Sequence, residues 1–293
     1  MLGSEIIDIN PRLAGANLGV PEVRMFGYAR FKEAIRTTDD WASHTGPELI
    51  FLMSGEACWE HGEEQIVQAS GGQLITFPKM RKHRILHSVY PPSESFWIVM
   101  KDPDEITSPS LLTPEAHVEF CKLLNSGSFI MDMPADVMNQ AISISRLLLD
   151  PIVFSGGGLT ISDLRAKLLS IMSEFWKTIA GGRMKRDASQ IVQDATKYIH
   201  ENARQTIRIE DVSDALGVTR GYLHAKFRKE LGMSPVDYIQ RLRIKWCCEQ
   251  LSNSADSITE IALDNGFESS QYFSRAFRKY LGLTPTEFRH RSK

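Results

Sequence analysis

The sequence predicts an α+β chain: an N-terminal antiparallel β-barrel or sandwich, a helical middle segment, and a C-terminal all-α domain made of two similar units. Three observations predict it. Between Val23 and Met100, short runs of alternating apolar residues are separated by Gly, Pro, Ser or charged turns. From Thr107 to Gly182 the apolar residues recur at three- and four-residue spacing. Near the C-terminus one twenty-residue block occurs twice. A length of 293 residues suits more than one domain. The expected boundaries are 1–107 for the strand-rich part, 108–184 for the helical segment with a linker, and 185–293 for the duplicated part.

The strand-like runs are RMFGYARF, ELIFLMS, EACWEH, EEQIVQA, QLITF and SFWIVM. Many short strands with glycine turns point to a sandwich or barrel, and small antiparallel barrels enclose ligands. Tyr28, Trp59 and Trp97 are candidate flat walls of such a pocket, and Arg30, His44, Glu48, His83 and His87 are candidate hydrogen-bonding groups. Aromatic faces beside carboxylate and imidazole suit a sugar or related polyol; ordinary core packing accounts for the aromatics equally simply. Two spacings stand out in this region. His44 and Glu48 with Gly55 fit H-x3-E-x6-G, and Gly72, Pro78 and His83 fit G-x5-P-x4-H. Together they resemble the two motifs of the cupin barrel. The position two before His44, usually a further histidine in metal-binding cupins, is Ala42, and Met80 stands where glycine is usual. Three donors and a water can form an open metal site. With one ligand missing, the expectation is no metal and no other cofactor, the three side chains hydrogen-bonding an organic ligand or each other.

In the middle segment Pro114–Leu124, Ala135–Leu149 and Leu159–Ala180 carry apolar stripes, the last through Leu164, Leu168, Ile171, Phe175 and Ile179. Gly156 to Gly158 and Gly181-Gly182 bound that helix, and Gly181 to Asp187 is the expected linker. These helices serve either a dimer interface or the cover of the barrel's open side.

The duplicated block reads YLHAKFRKELGMSPVDYIQR from Tyr222 and YFSRAFRKYLGLTPTEFRHR from Tyr272, with Tyr, Phe, Arg, Lys, Leu, Gly, Pro and Arg shared in register. Each copy follows a short amphipathic segment, with Ile209, Val212 and Leu216 or Ile258, Ile261 and Ala262 on one face, ending in Gly217 or Gly266. Leu223, Phe227 and Leu231, matched by Phe273, Phe277 and Leu281, recur at four-residue spacing and point inward. Pro235 and Pro285, each behind Ser or Thr, open a further helix. A short helix, a glycine turn and a basic second helix form the helix-turn-helix pattern, whose second helix enters the DNA major groove.

This block, and above all IALDNGFESSQYFSRAFRKYLGLTPTEFR, resembles the signature of the AraC/XylS family of bacterial transcription regulators over roughly the last hundred residues. The resemblance implies two helix-turn-helix units joined by one helix, here Pro235–Leu251, with a cupin-type effector domain before them. It also implies that helices beside the cupin form the dimer interface. Base-facing positions fall on Gly221, His224 and Ala225, with Arg220 at the helix start, and on Ser270, Gln271, Ser274 and Arg275. Lys226, Arg228, Arg278 and Lys279 are expected on phosphates. The implied partners are promoter DNA, a small-molecule effector and a second copy of the chain, with RNA polymerase open as a further one.

Composition agrees with this division. From Arg183 to Lys293, 19 Lys and Arg stand against 14 Asp and Glu; the rest of the chain has 15 against 22. The basic end is the duplicated one. Cys58, Cys121, Cys247 and Cys248 form neither a disulfide framework nor a CxxC site. The start MLGSEIIDINPR lacks the plan of a signal peptide, so a cytoplasmic location without membrane association is expected. No catalytic residues are expected, because no nucleophile with a neighbouring base and no phosphate-binding glycine loop stands out. Two alternatives remain: a metal-dependent cupin enzyme carrying a DNA-binding tail, against which Ala42 argues, and an effector-free regulator whose N-terminal part binds another protein.

Overall fold

The computed structural model describes residues 14–292 apart from 33, 38–39, 63–64, 108–109, 149–157, 181–188 and 206. The expected linker at 181–187 and the Gly156-Gly157 boundary lie outside the described residues. The N-terminal part holds β1 (Val23–Phe31), β2 (Ile35–Arg36), β3 (Glu48–His61), β4 (Gln65–Ser70), β5 (Gln73–Phe77), β6 (His83–Ile85), β7 (Val89–Tyr90) and β8 (Ser93–Met100). Two expected strands, ELIFLMS and EACWEH, are one: β3 runs through Gly55, whose φ of 81° lets the backbone turn without ending the strand. The first half of β3 pairs with β5 and β8, and its second half with β4 and β6, all antiparallel.

The sheet is open, which corrects the closed barrel expected from the strand pattern. Its order is β1-β8-β3-β5 followed by a ninth strand, with β4 and β6 on β3, and the two ends do not pair. The last strand, β9 (Phe129–Asp132), lies between the first two helices of the middle segment, in a stretch to which the sequence assigns no element. Its Phe-Ile-Met run pairs Ile130 with Ile75 and Met131 with Leu74. An added edge strand satisfies β5 without closing the sheet on β1.

Helices α1 (Pro114–Leu124), α2 (Ala135–Leu148) and α3 (Gly158–Ala180) cover one face of the sheet. Phe120, Ile144, Leu168 and Phe175 from the helices pack with Phe26, Phe51 and Phe96 from the strands. The other face gathers Trp59, Val67, Ile75, Phe77 and Ile85. Burial of both faces is why β3 reads as a nearly continuous apolar run.

The C-terminal part holds α4 (Gln190–Asn202), α5 (Ile209–Ala215), α6 (Arg220–Leu231), α7 (Pro235–Asn253), α8 (Ile258–Asp264), α9 (Ser270–Leu281) and α10 (Pro285–Ser292). Ser234 Oγ accepts a hydrogen bond from Asp237 N and starts α7 behind Pro235. Over 19 residues α7 spans about 28 Å. Tyr238, Ile239, Leu242 and Trp246 enter the core of the first helical unit, while Ile244, Cys247, Cys248 and Leu251 enter that of the second. Arg243, buried within the same helix, donates to the carbonyls of Ala203 and Gln205 at 2.8 Å each and so anchors the end of α4.

A third side of α7 faces the sheet. Lys245 Nζ lies 2.7 Å from Glu60 Oε1, and Arg84 bonds Glu60 Oε2 at 2.8 Å. Arg241 donates to Gln68 Oε1 at 3.0 Å. Cys58, Ile66 and Leu86 complete the first unit's core, and Val89 with Ala34 that of the second. The first helical unit therefore touches the main sheet, and the second touches the separate two-stranded ladder of β2 and β7.

Glu60→Ala leaves buried Lys245 and half-buried Arg84 without their shared carboxylate, a loss of about 3–5 kcal/mol. Denaturant unfolding of the full chain, followed by tryptophan fluorescence, should show that loss. It should persist in about 1 M salt, because buried pairs are weakly screened.

Candidate functional site

The second helix of each unit presents its polar face because its apolar stripe is consumed inside. Leu223, Phe227 and Leu231 of α6 and Phe273, Phe277 and Leu281 of α9 are all buried. Each helix starts on a hydroxyl cap: Thr219 Oγ1 accepts from Tyr222 N, and Ser269 Oγ from Tyr272 N. On α6, Arg220, Gly221, Ala225 and Arg228 are exposed, and His224 and Lys226 are half-buried. On α9, Gln271, Arg275, Arg278 and Lys279 are exposed, and Ser270 and Ser274 half-buried. All twelve residues proposed from sequence thus lie on two equivalent helices outside the cores.

Several cations on these helices rest on local carboxylates. Arg220 pairs with Glu210 at 2.8 Å, Lys226 with Glu230 at 3.1 Å, and Lys279 with Asp237 at 3.9 Å. Burial pushes Glu230 upward, but hydrogen bonds from Ser189 and Lys226 outweigh it and hold the carboxyl below its ordinary range. Such exposed pairs are worth at most about 1 kcal/mol each, so exchanging them for phosphates costs little.

On the sheet, His44, Glu48 and His83 converge, their donor atoms within 4.8 Å of one another. Glu48 Oε2 lies 2.8 Å from His83 Nε2 and 3.6 Å from His44 Nε2. Burial disfavours a proton on His83, yet the hydrogen bond and charge of Glu48 prevail and hold its pKa above the usual value. The His83 ring stacks on Phe77 at 4.2 Å. Ala42 exchanges two backbone hydrogen bonds with His83, so the side chain missing at Ala42 is what leaves the cluster at three donors. These three could hold a divalent ion only with water or ligand oxygen completing the shell.

The other candidates divide between places. Trp59 and Trp97 belong to the same face as Phe77. The Trp97 ring lies across Gly27, where a Cβ would stand 2.0 Å from its Cζ2. Tyr28 sits in the helix-covered core, its hydroxyl 2.9 Å from Glu94, with exposed Arg30 3.9 Å from the same carboxylate. His87 faces the helical domain, away from the cluster.

Sequence reasoning missed Glu60, Arg84, Gln68, Arg241 and Lys245, which join the two parts. One signal was present: Arg241, Arg243 and Lys245 stand among Leu242, Ile244, Trp246, Cys247 and Cys248 in RLRIKWCCEQL. A helix apolar on its other faces exposes no reason for cations unless a partner neutralises them. Their partners, far away in sequence, were not legible.

A family model described as a helix-turn-helix domain matches residues 212–291. The lactose operon transcription activator of Staphylococcus xylosus is 21% identical over 286 residues, covering 98% of this chain and 94% of that protein. Regulatory protein SoxS of Escherichia coli is 34% identical over 102 residues, 35% of this chain and 95% of SoxS. Among solved structures, the C-terminal domain of AraT, a response regulator from Geobacillus stearothermophilus, is 32% identical with a TM-score of 0.35, covering 36% of this chain and 87% of that one. No helix among the described residues is long and apolar enough to cross a membrane.

His61, beside this cluster, gives a pH dependence. Burial first, and then the charges of Arg81 and His83, push its pKa down to about 3. The unfolded imidazole titrates near about 6.5. Between those values the unfolded chain binds the extra proton, so the contribution is complete above about pH 6.5 and shrinks as pH falls. His61→Phe, packed on Phe77, should flatten the fall in denaturation midpoint between about pH 7 and pH 4.5.

Proposed function

Because the chain belongs to the AraC/XylS family of DNA-binding transcription regulators, we propose that it is a ligand-responsive activator in which the N-terminal sheet is a cupin-like effector domain and α6 and α9 read promoter DNA. The observation that carries this reading is the pairing of equivalent polar faces on α6 and α9, in two units whose cores share the one helix α7. A strut of about 28 Å suits recognition helices roughly one DNA turn, about 34 Å, apart.

The name of one relative, a lactose operon transcription activator, supports control of a sugar-related operon. The sheet face with His44, Glu48, His83, Trp59 and Trp97 supplies the hydrogen bonds and flat walls a sugar would use. In this reading the three polar residues bind the effector directly, without metal. A short stretch of backbone then carries the effect onward. His83 opens β6; three residues later Leu86 enters the first unit's core, and Val89 enters the second's. Binding that moves β6 changes both units together. Exposed Trp176 and Leu169, seven residues apart on α3, support a second copy of the chain on that side, and RNA polymerase is the remaining partner of an activator.

The two reading helices differ. Gln271 and Arg275 can make paired hydrogen bonds to adenine and guanine, each worth about 1–3 kcal/mol of discrimination. On α6 only His224 and Arg220 offer comparable groups, so α6 contributes more to phosphate contact and shape. On a randomised operator, Arg275→Ala should relax preference at one or two positions while His224→Ala changes it little. A larger relaxation from His224→Ala would reverse the assignment.

A further inference from the structure

The two copies of the duplicated block differ where bases would be read and agree elsewhere. Gly221, His224 and Ala225 of α6 are matched by Gln271, Ser274 and Arg275 of α9, and helices that read different base pairs need different residues at such positions. Most of the residues shared in register serve the fold. Phe227 with Phe277 and Leu231 with Leu281 fill the cores, Gly232 with Gly282 end the helices at positive φ, and Pro235 with Pro285 open the next ones. Three shared pairs on α6 and α9 are exposed and have no such explanation: Tyr222 with Tyr272, Arg228 with Arg278, and Lys229 with Lys279.

What two units on different base pairs have in common is the sugar-phosphate backbone, which presents the same oxygens to each. The arginines and lysines suit it by charge. The tyrosines need a separate account, because each ring is a large apolar surface and yet they stand 47% and 41% exposed. Each is the third residue of its helix, its N–H held by the cap hydroxyl at 3.2 Å, Thr219 for Tyr222 and Ser269 for Tyr272. The two side chains therefore leave their helices at the same point. Gln240 Nε2 donates to the Tyr272 oxygen at 3.3 Å, and Lys226 Nζ stands 5.7 Å from the centre of the Tyr222 ring. Ammonium and amide N–H groups only donate, so both neighbours leave the phenol's own proton unused. Among the described residues neither phenol donates a hydrogen bond. An exposed O–H on a helix rich in cations is best matched by an anionic oxygen.

We propose that Tyr222 and Tyr272 are an equivalent pair of backbone anchors, each donating its phenol proton to a phosphate oxygen of DNA. The proposal rests on the reading that α6 and α9 face DNA, and adds to it two contacts that carry no charge. A neutral donor displaces no counterion, so these contacts strengthen binding without steepening its salt dependence. Nor do they choose a base.

The test uses the full chain with a duplex selected from a randomised pool and a duplex of unrelated sequence, affinity being read by fluorescence anisotropy between about 50 and 200 mM KCl. Tyr222→Phe and Tyr272→Phe each remove one oxygen and keep the ring, so both should melt with the natural chain. Each should weaken binding to both duplexes by about tenfold, as for one hydrogen bond to a charged group, and the double variant should show the product. The slope of log K against log salt should be unchanged, whereas Arg278→Gln should flatten it by about 0.9. A loss below about twofold in either tyrosine variant leaves that hydroxyl idle and overturns the proposal. So does a loss confined to the selected duplex, which makes the phenols base readers, or one matched by a lowered Tm, which makes them structural. If Arg278→Gln also leaves affinity and slope unchanged, the reading of α6 and α9 as the DNA-facing helices falls, and this proposal with it.

Discussion

Everything in the molecule meets at α7, a helix with hardly any side left for water. Two of its faces are apolar and complete the cores of the two helix-turn-helix units. Its two buried cations are each matched to a fixed partner: Arg243 to two carbonyls at the end of α4, and Lys245 to Glu60 on the sheet. A buried cation is tolerable only when paired and hydrogen-bonded, so these contacts specify where the neighbouring elements sit more than they add net stability. The apolar faces provide the driving force, and the ions provide register.

That division explains how one N-terminal domain can address both helix-turn-helix units. Glu60 is contacted by Arg84 from its own sheet and by Lys245 from α7, which makes the carboxylate common to both domains. Leu86 and Val89, on either side of the left-handed His87-Ser88 pair, each fill a different helical core. The strained turn separates two anchors that a regular strand would direct otherwise. Local strain at a junction of moving parts is a recurrent way of holding two arrangements close in free energy.

The C-terminal architecture was legible because it is local and doubled. Inward residues at four-residue spacing, hydroxyl caps and glycine turns act within a dozen residues, and two copies of one pattern confirm each other. The sheet was legible as strands and not as a topology. Alternation in QLITF or SFWIVM says which residues face a core, but pairing is decided at long range, so nothing in the strands foretold that β9 would take the free edge of β5. Phe129 to Met131 was hidden inside a segment whose flanking helices dominate its period. For the candidate site, the two histidine spacings sufficed to bring His44, Glu48 and His83 together. Tyr28 was grouped with Trp59 and Trp97 only by residue type; strand parity puts it on the opposite face.

The duplicated block carries a glycine just past α6 and α9, Gly232 and Gly282, and both lie against the sheet domain. A Cβ on Gly232 would stand 2.3 Å from the Gln68 carbonyl oxygen, and one on Gly282 would stand 3.2 Å from Ala34 Cβ. The residue type that ends a helix with positive φ is thus also the one that admits a close neighbour. An internally repeated protein offers the same landmark at two places, and a single asymmetric partner can rest a different part of itself on each. Held at both landmarks, the angle between the two halves of a DNA reader becomes a property of the third body that spans them.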